Sequence, residues 1–282
     1  MTTRILDGRA TARTILASVE ARAQNLTHND IYPKLAFVMH GASEEARLYA
    51  RRLDVLCGRL GLDFDVIELE ESTSPKTLLH RIECLDQDPL VDGVLIQMPL
   101  PEQLHGAHIS TVLRPGKDVD GITVENAGRL YLELPGHAPS TALAMLQLLD
   151  ESGVDSRGKH AVVVGRSQIV GHPVAELLLR RDATVTVTHR QTEDLAKHTR
   201  DADILMVAAG SAGLIRGTMI KPGVVIVDAG INPTEDGVIG DVVYDECVGI
   251  AAAITPVPGG VGPVTTACLL RSLIAGAETR TE

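Results

Sequence analysis

Short apolar runs recur along this chain, and each is followed by a stretch with helical spacing. Leu35-Ala36-Phe37-Val38-Met39 leads into a helical pattern from Ser43 to about Leu60, closed by Gly61. Phe64 to Leu69 leads to a helix over 75–84, and Val91 to Gln97 reads as a buried strand that ends on a polar residue. Strand, helix, strand, helix, strand is the pattern of a parallel sheet with crossover connections. A second series follows, with strands at 160–164, 184–188, 203–207 and 223–228. Ahead of both, Asp7-Gly8 precedes Ala12, Ile15, Leu16 and Val19 on one helical face, and a helix over 264–277 closes the chain. The fold class is α/β.

The Pro/Gly/Asp-rich stretch from Pro99 to about Ser140 separates the two series and marks a hinge and cleft between two domains. With 44% hydrophobic and 22% charged residues, the chain is not a disordered one. It has four tyrosines, two phenylalanines and no tryptophan, so the core is built from Leu, Val, Ile and Ala. So few aromatics exclude a stacking platform for single strands, and a net charge of −11 argues against a phosphate-backbone binder, so no nucleic-acid partner is expected. No membrane-spanning run and no signal-peptide core are present. Cys57, Cys84, Cys247 and Cys268 lack CxxC spacing and the ten histidines show no HExxH, which together imply a cytoplasmic protein with reduced thiols and no metal.

The second series opens on the most informative turn. His160-Ala161-Val162-Val163-Val164 runs directly into Gly165-Arg166-Ser167-Gln168-Ile169-Val170-Gly171, with a helix over 172–180 behind it. Gly165 allows a tight turn and Gly171 a close helix approach, while the helix N-terminus offers N–H groups and a positive dipole end to a phosphate. The spacing is G-x5-G, so the pattern alone fits either a dinucleotide site or a plain strand-to-helix turn. An NAD-type unit usually carries Asp or Glu about 20 residues further on for the ribose 2′-hydroxyl. Here the next strand ends in Thr188-His189-Arg190, and the nearest carboxylates are Glu193 and Asp194. Arginine suits a 2′-phosphate because its planar fork pairs bidentately. NADP held through Arg166 and Arg190 is therefore expected, with NAD as the alternative; Arg190 as a solvated loop residue is the competing reading.

Further segments extend the pattern: Ile5-Leu6-Asp7-Gly8, VDGVLIQMPLP (91–101), KDVDG (117–121), VVVGRSQIVGHP (162–173), ADIL (202–205), KPGVVIVDAGIN (221–232), GDV (240–242) and ITPVPGGVGPVTTA (254–267). Over nearly its whole length the chain resembles the methylenetetrahydrofolate dehydrogenase/methenyltetrahydrofolate cyclohydrolase family. The resemblance implies two α/β domains with a cleft between them. Residues 1–139 and 266–282 form a folate-binding catalytic domain with a parallel sheet and the C-terminal helix, and 140–265 a Rossmann-type NAD(P)-binding domain. It implies a homodimer acting on tetrahydrofolate derivatives. Carried over position by position, Tyr49 packs on the folate, Gln97 lies near the reacting carbon and Asp120 holds the pterin ring; these three form the catalytic set. Pro258, Gly259 and Gly260 line the substrate site. Gly165, Arg166, Ser167, Gly171, His189, Arg190 and Ile231 bind the cofactor. Taken alone, Tyr49 also fits core packing, Gln97 a backbone-bonded amide and Asp120 a turn residue before Gly121. A carboxylate is nonetheless the group that accepts two N–H bonds from an aminopyrimidinone edge.

One position departs from the resemblance, which implies a lysine four residues after the tyrosine, on the same helix face and tied to the hydrolysis step. That position is Leu53, which has no donor, acceptor or titratable group. Arg51 and Arg52 lie off the Tyr49 face. Hydride transfer from an aminal carbon needs ring alignment and exclusion of water, not a proton carrier. The leading expectation is therefore an NADP-dependent oxidation of 5,10-methylenetetrahydrofolate to 5,10-methenyltetrahydrofolate, with cyclohydrolase activity weak or lost. The alternatives are a fully bifunctional enzyme making 10-formyltetrahydrofolate, and a non-catalytic paralogue or an enzyme on a modified folate.

Overall fold

The computed structural model describes residues 2–281 apart from 42, 99, 101, 105–107 and 236; Pro99 and Pro101 of the hinge stretch thus lie outside the described residues. In chain order the elements are β1 (Arg4–Ile5), α1 (Gly8–Thr27), β2 (Lys34–His40), α2 (Glu44–Arg59), β3 (Asp63–Leu69), α3 (Pro75–Gln87), β4 (Gly93–Ile96), α4 (Val124–Tyr131), α5 (Ser140–Ser152), β5 (His160–Val164), α6 (Gly171–Leu179), β6 (Thr184–Thr188), α7 (Leu195–Thr199), β7 (Ile204–Val207), β8 (Val225–Asp228), β9 (Asn232–Thr234), β10 (Gly237–Ile239), α8 (Tyr244–Cys247), β11 (Ala253–Ile254) and α9 (Val261–Glu278). No helix among the described residues is long and apolar enough to cross a membrane. The chain forms two compact units, one from residues up to 14 with 139–268, the other from 15–138 with 269 onward. The sequence reading gave the segment before residue 15 to the second of these. In the structure that segment carries β1, whose two residues pair in parallel with β11, Arg4 opposite Ala253 and Ile5 opposite Ile254.

The first unit is built on a parallel sheet of order β1-β11-β8-β7-β5-β6. From β5 the chain steps outward to β6, then returns to the other side of β5 as β7. That reversal is a topological switch point, where open α/β sheets bind ligands beyond their strand C-termini. Strands β5, β7 and β8 bury Val162, Val164, Leu205, Val207 and Ile226 together, the apolar run that a sheet covered on both faces requires. A small antiparallel hairpin, β9 with β10, stands apart from this sheet and was not expected from the sequence.

The second unit holds a parallel sheet of order β3-β2-β4. Ala36, Val38, Val94 and Ile96 line one of its faces and pack with Leu78 and Ile82 of α3. Local chemistry sets the helices. Ser43 caps α2 by accepting the Ala46 N–H at 3.3 Å, with Glu44 and Glu45 in the first turn, and the chain leaves through Gly61 at φ +72°. Ser74 caps α3 and Pro75 opens it. Within the stretch read as a hinge, Thr123 caps α4 by accepting the Asn126 N–H.

Lys117 closes the other end of α3. Its ammonium donates to the carbonyls of Asp86 and Asp88, both at 2.6 Å, and to Leu85 at 3.3 Å. Burial lowers its pKa, which the surrounding carbonyls tolerate because cations suit a helix C-terminus. The Val94 N–H donates to the Lys117 carbonyl at 2.7 Å, so the same residue fastens the following loop to β4. Lys117→Met is expected to lower the unfolding free energy by about 1–3 kcal/mol, the worth of hydrogen bonds from a charged donor, as read by urea denaturation.

Candidate active site

In the first unit, every predicted cofactor residue follows the C-terminal end of a parallel strand. Gly165, Arg166, Ser167 and Gly171 follow β5, His189 and Arg190 follow β6, and Ile231 follows β8. Gly165 sits at φ +121°, and a Cβ there would lie 2.1 Å from the Ala208 carbonyl oxygen; one on Gly171 would lie 2.3 Å from the Gly165 oxygen. The turn is therefore packed backbone against backbone, which only glycine permits. Ser167 does not point away from the helix. Its Oγ accepts the Val170 and Gly171 N–H groups at 3.2 and 3.3 Å, capping α6. The N–H groups of Arg166, Ser167, Gln168 and Ile169 find no acceptor among the described residues. A row of unpaired N–H groups before a helix N-terminus is an anion cradle. The exposed Arg166 and Arg190 likewise have no carboxylate partner among the described residues. The His189 Nδ1 accepts the Gln191 N–H at 3.2 Å.

Two aspartates that carried no role in the sequence reading organise this edge. Asp228, 2% exposed at the end of β8, accepts N–H groups from Gly230, Asp241 and Val242 at 2.8, 3.2 and 2.9 Å. Asp241 accepts from Ala209, Gly210, Ser211 and the Asn232 amide at 2.6–2.9 Å. Together they fix the loops after β7 and β8, on the switch-point side of the sheet. Burial pushes the Asp228 carboxyl up to about 6 despite its three donors, with the nearby Asp241 charge adding to the rise. Pro258, Gly259 and Gly260, assigned to the substrate, lie in this unit after β11; the Val257-Pro258 bond is cis, and the Gly260 and Gly259 carbonyls press on Gly8 at the start of α1.

In the second unit Tyr49 lies on α2, Gln97 directly follows β4, and Asp120 lies on the loop that Asp118 bridges to Val94. Tyr49, on α2, is 38% exposed and meets Phe37 of β2 edge-to-face at 5.9 Å between ring centres. Leu53, one turn on, is 1% exposed and belongs to the core, while Arg51 and Arg52 are exposed. Asp118 holds the loop that carries Asp120, accepting N–H groups from Ile122 and Thr123 and the Asn126 amide at 2.8–3.0 Å. Gln97 donates its backbone N–H to Val38 at 2.9 Å, yet its side-chain Oε1 is buried with no donor among the described residues. His40, at the end of β2, is 6% exposed, and neither ring nitrogen has a partner among the described residues. Leaving a buried polar group unpaired costs about 1–3 kcal/mol, so both are places where a fold invests in binding. The sequence reading missed His40, although a polar residue closing an apolar strand was the very signal that drew attention to Gln97.

A Rossmann-type sheet with an anion-binding turn, joined in one chain to a second α/β unit, defines a two-domain dinucleotide-binding enzyme class. Residues 6–120 match the catalytic domain, and 139–281 the NAD(P)-binding domain, of tetrahydrofolate dehydrogenase/cyclohydrolase. The bifunctional protein FolD of Wolinella succinogenes is 42% identical over 280 residues, covering 99% of this chain and 98% of that protein. Among solved structures, the bifunctional FolD of Campylobacter jejuni superposes with a TM-score of 0.95 at 39% identity, covering 99% of each chain. The Trypanosoma brucei methylenetetrahydrofolate dehydrogenase-cyclohydrolase, complexed with NADP and an inhibitor, gives 0.95 at 33% identity over 100% of this chain and 99% of that one. The chain belongs to the tetrahydrofolate dehydrogenase/cyclohydrolase family and is an enzyme of one-carbon metabolism. The sequence reading put dehydrogenase activity alone first; these matches back its bifunctional alternative better.

An acid whose folded pKa is raised favours the folded state when protonated, so the Asp228 contribution to stability falls as pH rises from its unfolded value of 3.8 to about 6 and is level above that. Carbon-detected NMR titration of the aspartate carboxyls is expected to give Asp228 a midpoint near 6; a midpoint below its ordinary 3.8 would contradict this environment.

Proposed function

We propose that this chain oxidises 5,10-methylenetetrahydrofolate to 5,10-methenyltetrahydrofolate with NADP and hydrolyses the product to 10-formyltetrahydrofolate. The observation that carries the redox half is the unpaired N–H row of residues 166–169 before α6, which suits a dinucleotide pyrophosphate. Bound NADP supplies the hydride acceptor. In this reading Arg166 and Arg190 take the 2′-phosphate, while Ser167, Gly165 and Gly171 shape the turn around the pyrophosphate, with His189 and Ile231 beside it. Tyr49 packs on the folate, Asp120 accepts the N–H groups of the pterin edge and Gln97 reaches the reacting carbon. Pro258, Gly259 and Gly260 line the substrate. These residues hold two rings in line and keep water from the hydride, and no proton carrier is required for that step. The protein acts as a homodimer in this reading.

A second reading, oxidation without efficient hydrolysis, is favoured by Leu53. The resemblance gives that position to lysine, and here it is a buried aliphatic side chain one turn from Tyr49. Water adds to the methenyl carbon and its proton must be taken up, which leucine cannot do. Assaying the purified protein with methenyltetrahydrofolate separates the two. Hydrolysis keeping pace with NADP reduction supports both activities, and hydrolysis at the solvent rate leaves the dehydrogenase alone. Arg190→Ala is expected to raise the KM for NADP about 10-fold or more and leave that for NAD unchanged, the loss of a charge-assisted pair; an unchanged NADP/NAD ratio removes Arg190 from the phosphate site.

A further inference from the structure

Two neighbouring strands of the second unit lead, at their C-terminal ends, to polar side chains with buried atoms that find no partner among the described residues. Gln97 follows β4 and His40 ends β2; among the described residues the Gln97 Oε1 has no donor and neither His40 Nδ1 nor Nε2 has a partner. The parallel register sets Val38 opposite Ile96, so Gln97 stands level with Met39, one residue before His40. The rest of β2 beyond Lys34 is Leu35, Ala36, Phe37, Val38 and Met39, all buried and apolar, so packing alone does not call for an imidazole at the end. A neutral imidazole offers one donor and one acceptor, and no described residue bonds either ring nitrogen here. Ligands of parallel sheets bind beyond the strand C-termini, which is where these two residues stand.

We propose that His40 is a positioning residue for the reduced folate, hydrogen-bonding the bound substrate through a ring nitrogen at the strand edge it shares with Gln97. Strand alternation puts His40 on the side of Ala36 and Val38 and Gln97 on the side of Phe37 and Met39. The two therefore meet a ligand from different sides of the edge, which fixes its orientation better than either alone. This inference rests on the reading that the folate binds the second unit.

The test compares His40→Leu and His40→Gln with the unsubstituted protein in thermal unfolding and in NADP-linked oxidation of 5,10-methylenetetrahydrofolate. His40→Leu is expected to raise Tm, because two unpaired polar atoms leave the interior, and at the same time to raise the folate KM about 10-fold with the NADP KM unchanged, one hydrogen bond's worth. His40→Gln keeps a donor and an acceptor and brings the folate KM back toward that of the unsubstituted protein. A purely structural imidazole moves Tm alone, so an unchanged folate KM in His40→Leu overturns the proposal. Should that variant not fold, the His40 ring signals of the unsubstituted protein are followed by NMR on adding tetrahydrofolate: a shift supports the contact, and none overturns it. If the unsubstituted protein reduces no NADP with this substrate, the functional reading itself fails and the His40 role falls with it. If it does, an unchanged KM removes His40 only.

Discussion

A strand buried along its length tolerates a polar side chain only where that side chain is fully bonded or where the strand ends. β5, β7 and β8 obey this constraint with Val162, Val164, Leu205, Val207 and Ile226, and the single carboxylate among them, Asp228, comes last and is wrapped in three N–H groups. Chemistry is thereby pushed to the C-terminal edge of each sheet. The anion-binding turn after β5, the arginine after β6 and the aspartate-held loops after β7 and β8 all stand there in the first unit. His40 and Gln97 stand at the corresponding edge of the second.

The carboxylates do work that looks catalytic by position and is architectural by bonding. Asp241 accepts four donors and Asp118 three, so neither has much capacity left for a ligand. Asp120, two residues from Asp118, is presented by a loop that its neighbour has already secured. The same division holds on α2, where Leu53 fills the core and Tyr49, one turn earlier, remains accessible over Phe37.

Much of this was legible in the residues. Periodicity located β2, β3, β5 and β6 and most helices to within a few residues, since apolar alternation and caps such as Ser43 and Gly61 are local signals. The glycine turn at 165–171 was legible for the same reason. What escaped was non-local. β1 and β11 are two residues each and exist only because they pair across the chain. α4 lies inside a stretch dense in proline and glycine, and its Thr123 cap was outweighed by that composition. Asp228 and Asp241 carry no local signal of a role, because their donors come from residues 2 to 32 positions away that only the fold assembles. His40 closes a strand much as Gln97 follows one, but nothing in its sequence neighbours announces that both nitrogens go unbonded among the described residues.

The pairing of Arg4 with Ala253 carries a consequence for how the molecule comes into being. Neither unit is a continuous length of polypeptide, and the first includes a strand, β1, whose partner β11 lies about 250 residues further along the chain. Closing so long a loop is entropically costly, so β1 waits for its place in the sheet until β11 has been made. For that interval its backbone groups and the β11-side flank of β8 are left without their eventual partners, and a cell making this protein must keep both from joining something else.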